Sequence, residues 1–171
     1  IFKVQNKTNN NFNISSFNKY LITFIASLFI YLFYLLVPLL YNKTFVQTNI
    51  ESKLLNEFKV VISTSANISY RILPAPHFLI KDSKMLMGEG EKKKTIAEIK
   101  DLKVFLSQKN LFNKEKIKIK KVVISDANFS LLRDDLKLLN KIISKKFSNK
   151  KIKINNSNIF FKDNLEEVIS I

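Results

Sequence analysis

The stretch YLITFIASLFIYLFYLLVPLLYN, Tyr20 to Asn42, has no charged residue between Lys19 and Lys43. In hydrocarbon every backbone N–H and C=O must find a partner within the segment, so a run like this is confined to a helix. Its length crosses a core of roughly 30 Å at about 1.5 Å per residue. Tyr20, Tyr41 and Lys43 stand near its ends, where amphipathic rings and lysine heads prefer the membrane interface. A cleaved secretory signal has a core of only about 7 to 15 apolar residues ending in small residues. Here the exit reads VPLLYNKT, which predicts a retained anchor over residues 20–42.

Lys3, Lys7 and Lys19 precede the span and Lys43, Lys53 and Lys59 follow it, so counting cations does not orient it. The asparagine-rich tail, residues 1–19, reads as disordered and is cheap to leave in the cytoplasm, which places the bulk of the chain outside.

The formal net charge of +15 points toward an anionic partner. Its makeup argues against nucleic acid, because Arg71 and Arg133 are the only arginines among 29 basic residues. The planar guanidinium is the group that reads phosphates and base edges best. With no cysteine and one histidine, His77, neither a thiolate metal site, a cysteine nucleophile nor a histidine-rich metal cluster can be built.

Beyond the span, Val46, Ile50, Leu54 and Phe58 recur every four residues with Leu55 alongside, which predicts an amphipathic helix over 43–59 that Thr44 can cap. From residue 60 onward the period shortens. The segments KVVISTSANISYRIL, HFLIKDSKML, LKVFLSQ, KIKIKKVVISD, NFSLLR and KIKINNSNIFF are short and rich in Ile, Val and Phe. In the two KIKI runs, 116–119 and 151–154, isoleucine alternates with lysine, as in a sheet with one apolar and one wet face.

These segments contain an internal repeat. IKDSKM (80–85), ISDANF (124–129) and INNSNI (154–159) share the order apolar, x, Asp/Asn, small, Lys/Asn, apolar. Each reads as strand, tight break, strand, since Asp and Asn tolerate left-handed backbone where a strand bends or bulges. Cation binding by Asp82, Asp126 and Asn156 is the weaker reading, because residues so far apart in sequence need not converge. A further helix is expected at DDLKLLNKIISKKF, with Asp134 and Asp135 opening it and Lys145 and Lys146 closing it as the helix dipole favours. That capping role also accounts for the acidic pair without acid–base chemistry. Gly88 and Gly90 lie in a charged loop that lacks the ending of a phosphate-binding loop. No catalytic set, cofactor loop or metal constellation emerges, and no enzyme is expected.

The order of features carries a resemblance. Leu73-Pro74-Ala75-Pro76 runs into Leu79-Ile80-Lys81-Asp82; Ala97-Glu98-Ile99-Lys100-Asp101-Leu102 follows, then the segment from Val122 to Asp134. Together with the preceding span and helix this resembles the N-terminal region of the AsmA family of bacterial envelope proteins, over about residues 20 to 165. Departures exist: Thr64-Ser65-Ala66-Asn67 stands where the family often has a glycine, and the chain ends in NLEEVISI as a new strand would begin, so a fragment is expected.

The resemblance implies an α+β fold, mainly antiparallel β. Residues 60–171 would begin an elongated, curved β-groove, with the further helix packed on the sheet. It also implies a single-pass inner-membrane protein facing the periplasm, acting in outer-membrane biogenesis by carrying phospholipid along the groove. The alternative is an anchored assembly factor that docks envelope proteins by its sheet edges and carries no lipid. On this reading Pro74, Pro76 and Asp82 are structural residues of the family pattern. Ile117, Ile119, Ile152 and Ile154 are candidates for the lipid-facing surface, unless they form an ordinary core with Val46, Leu54, Leu136 and Ile143. Pro74 and Pro76, which cannot donate to a ladder, are expected at a corner between strands with His77 exposed beside them.

Overall fold

The computed structural model describes residues 15–58, 60–87, 93–132, 151–162 and 168–170. The expected tail, the Gly88–Gly90 loop and the helix expected at residues 134–147 lie outside them. The chain forms two compact units, Ile1–Tyr34 and Leu35–Ile171.

Helix α1 runs Ser16–Leu36 and passes into a 3₁₀ turn, Val37–Leu40. Together, Ser16–Leu40 is long and apolar enough to cross a membrane. The helix starts four residues before the charge-free run because Lys19 is accommodated in its first turn, where its amide donates to the Ser15 carbonyl. It tightens at Pro38, whose ring clashes with the preceding turn and which has no N–H to continue the ladder.

Helix α2 is Lys43–Phe58. Its cap is Asn42 rather than Thr44: the Asn42 Oδ1 accepts from the amides of Thr44 at 2.9 Å and Phe45 at 3.4 Å. Val46, Ile50, Leu54 and Phe58 are buried, as their spacing predicts. Leu55 is exposed instead, since it sits 100° around the helix from Leu54 and off the stripe.

The second unit's sheet holds eight strands among the described residues. They are β1 (Val61–Ser63), β2 (Ile68–Arg71), β3 (His77–Met87), β4 (Lys94–Leu106), β5 (Ile119–Leu132), β6 (Lys151–Asn155), β7 (Asn158–Lys162) and β8 (Val168–Ser170). The long strands β3, β4 and β5 form an antiparallel centre. β1 and β2 lie in tandem along β3, both antiparallel to it. β6 and β7 lie in tandem along β5, but parallel to it, and β7 pairs antiparallel with β8. The sheet is therefore mainly antiparallel, as expected, with a parallel seam that strand alternation does not announce. A parallel neighbour needs a crossover of a dozen or more residues, and residues 133–150 supply that length.

The first KIKI run is only partly strand. Lys116 ends a 3₁₀ turn capped by the Asn113 side chain, and β5 begins at Ile119. The buried residues nonetheless alternate through it, Ile117 and Ile119 in, Lys118 and Lys120 out.

Candidate functional site

Two features of the sheet bear on function: a crease across its middle and the apolar rows on either side of it. The crease follows from the repeat. Asp82, Asp126 and Asn156 hold φ of 54°, 52° and 44°, the left-handed region that Asp and Asn enter at least cost among residues with a Cβ. In the first two copies the strand continues through this residue; in the third it separates β6 from β7. Lys81 faces Asp101 and Ser83 faces Ile99, while Asp101 faces Ser125 and Ile99 faces Ala127, so Asp82, Lys100 and Asp126 share one row. That row ends in strand breaks on both flanks. On one side, Ser65 Oγ donates to the Lys81 carbonyl and the Lys81 amide donates to Asn67 O at 3.1 Å, between β1 and β2. On the other, Asn156 Nδ2 donates to Asp126 Oδ1, and the Ala127 amide donates to Ser157 Oγ at 3.2 Å.

The crease changes which residues are buried. On β3 burial passes from Phe78 and Ile80 to Ser83, on β4 from Ala97 and Ile99 to Leu102 and Val104, and on β5 from Val122 and Ile124 to Ala127 and Phe129. On β4 the buried positions slip by one residue at this row, while on β3 and β5, where Leu79 and Val123 are buried as well, burial narrows to one face beyond it. A left-handed residue re-aims the side chains that follow it, as a bulge does. Asp82, Ser83, Lys84, Glu98, Lys100 and Asp126 line a shallow cleft of about 350 Å³ along the crease. Acids and lysines alternate there, and among the described residues no group of three or more acidic, histidine or cysteine side chains could hold a metal.

The apolar rows come from the same register. Phe78, Val104, Val122 and Ile152 stand side by side across four strands, and so do Ile80, Leu102, Ile124 and Ile154. Beyond the crease, Met85, Ala97, Phe129 and Ile159 form a third row. Copies two and three of the repeat thus pair in phase, Ile124 beside Ile154 and Asn128 beside Asn158, whose side-chain amide donates to Asn128 Oδ1 at 3.1 Å.

The four isoleucines singled out from the sequence divide into two pairs. Ile117 and Ile119 are buried under α2, where with Phe45, Val46, Ile50, Phe78 and Leu106 they enclose a cavity of about 10 Å³. That is room for about one water and none for an acyl chain. Glu51 and Gln47 fix α2 in place: Glu51 Oε1 accepts from the Thr64 amide at 2.7 Å and its hydroxyl at 2.8 Å, and Gln47 Nε2 donates to Thr64 O at 2.7 Å. Ile152 and Ile154 lie on β6 at the other margin. Ile152 is half-buried and Ile154 is 53% exposed, as Ile159 is by 42%.

Pro74 and Pro76 occupy the turn between β2 and β3, the corner their chemistry predicts. His77 is not exposed there; it is 3% accessible. As the first residue of β3 it sits between Arg71 of β2 and Phe105 of β4, stacks on the Phe105 ring at 4.9 Å, and its Nδ1 lies 2.8 Å from Ala75 O. Local sequence carried no sign of Phe105.

Tyr70 at the end of β2 was not anticipated. Its hydroxyl donates to the Leu35 carbonyl at 2.6 Å, while Tyr41 donates to the Leu111 carbonyl. Burial, with a smaller contribution from Tyr41, pushes the Tyr70 phenol up from 10.0 to about 12. The sequence profile of the AsmA family matches residues 14–170. Neither the curated proteins nor the solved structures contain a match.

Proposed function

The chain belongs to the AsmA family, and from that premise we propose that it is a non-catalytic inner-membrane protein that carries phospholipid along an apolar β-sheet surface in outer-membrane biogenesis. Its single span holds it in the inner membrane and the β-rich unit works in the periplasm.

The observation that carries this reading is the way the apolar rows end. Ile124 and Phe129 on β5 are buried, while Ile154 and Ile159, their neighbours in the next copy of the repeat, are exposed. An apolar face that widens by one in-phase copy at a time can extend into a groove, with backbone polarity satisfied by strand pairing and acyl chains sheltered on the face. Each methylene so buried is worth about 0.8 kcal/mol. Under α2 the face is closed, so the lipid-bearing part is the β6–β7 margin and what adjoins it, rather than the Ile117–Ile119 pair.

Native mass spectrometry of the full-length protein extracted in mild detergent tests this. Phospholipid retained in stoichiometric amount supports transfer. A consistently lipid-free protein contradicts it and favours an assembly factor that docks partners through the sheet.

A further inference from the structure

Four large apolar side chains stand in water on the folded unit, in three loops remote from one another in sequence: Leu39 and Leu40 (85%) in the 3₁₀ turn, Leu73 (81%) between β2 and β3, and Phe112 (72%) between β4 and β5. A lone exposed leucine needs no explanation. These are gathered by three hydrogen bonds. Tyr70, three residues before Leu73, donates to Leu35 O; Tyr41 donates to the carbonyl of Leu111, next to Phe112; and the Leu106 amide donates to Pro76 O at 2.9 Å, joining the Pro74–Pro76 turn to the start of the Phe112 loop. Leu35 and Pro38 are themselves buried in this unit although they belong to the apolar segment Ser16–Leu40.

We infer that Leu40, Leu73 and Phe112 are inserted in the bilayer leaflet from which the span emerges, so that the domain is seated on the membrane surface at this corner. The occupant follows from continuity: Leu39 and Leu40 are the last residues of the membrane-crossing segment, and the other two loops are tied to it. The rim has matching chemistry. Arg71, Lys109, Lys114 and Lys116, all exposed, stand within four residues of Leu73 or Phe112 in sequence, with Glu115 the one acid among 109–116, and the Lys114 ammonium also lies 4.9 Å over the Phe45 ring. Cations beside exposed apolar tips suit an anionic headgroup layer. This rests on the membrane anchoring in the reading above and not on lipid transfer.

The chain has no tryptophan, so single substitutions report depth without background. Leu73→Trp, Phe112→Trp and, at the crease, Lys84→Trp are compared in the full chain reconstituted in vesicles of mixed zwitterionic and anionic lipid, with and without bromine on the acyl chains. Seating about 5–10 Å into the headgroup–acyl boundary predicts blue-shifted emission roughly halved by brominated lipid at the first two positions, and neither effect at Lys84→Trp. Equal, red, unquenched emission at all three overturns the inference. Should a tryptophan variant misfold, nitroxide-labelled Leu73→Cys and Phe112→Cys, each the chain's only thiol, give the same decision from oxygen against nickel-chelate accessibility. Quenching in a protein that retains no lipid would support this seating while contradicting transfer.

Discussion

Asp82 and Asp126 hold left-handed backbone within β3 and β5 and Asn156 holds it between β6 and β7, and Asp126 also accepts from Asn156. Left-handed backbone costs a β-branched residue about 1–2 kcal/mol and glycine nothing. Asp126→Val is therefore expected to lower the urea-unfolding free energy of the detergent-solubilised chain by about 1–2 kcal/mol more than Asp126→Gly, which loses the same side-chain hydrogen bond. Equal losses would contradict the assignment. Tyr70 gives a pH signature. The unfolded phenol releases its proton at pH 10.0 and the folded one at about 12. Between those values the unfolded state binds fewer protons, so the stability this group contributes is complete below pH 10 and is lost as pH rises through 12. A base titration followed by circular dichroism should show that loss in the wild type and a smaller one in Tyr70→Phe.

Helix α2 closes the apolar face where the sheet begins, and its two adjacent leucines separate core from surface. Leu54→Ala is expected to cost about 2–5 kcal/mol, and Leu55→Ala less than about 0.5, in the same urea assay. This helix was legible because a four-residue period maps directly onto one face, and the crease because Asp and Asn at matching positions of a repeat signal left-handed backbone without reference to the rest of the fold. The misses share a different cause. Asn42 displaced Thr44 as cap because the helix starts at Lys43, and Lys19 entered α1 because one lysine in a first turn reaches solvent. The burial of His77 and the parallel placement of β6 and β7 depend on strands far away in sequence, which local alternation does not encode. The isoleucines of the two KIKI runs look identical in sequence and differ in the fold because α2 covers only the first.

The whole molecule joins an apolar segment that can cross a membrane to a sheet whose apolar rows widen copy by copy toward β6 and β7. In water an uncovered row is a liability; in the proposed lipid transfer it would be the working part. The proposed transfer requires the exposed Ile154 and Ile159 to meet acyl chains, whereas Ile119 is buried against α2. The most direct test is a photo-crosslinking amino acid introduced singly at Ile154, Ile159 and Ile119 of the full-length protein in its native membrane, with adducts identified by mass. Phospholipid adducts are expected at Ile154 and Ile159 and none at Ile119; protein adducts alone, or no adducts, at the first two positions would overturn lipid transfer along this face.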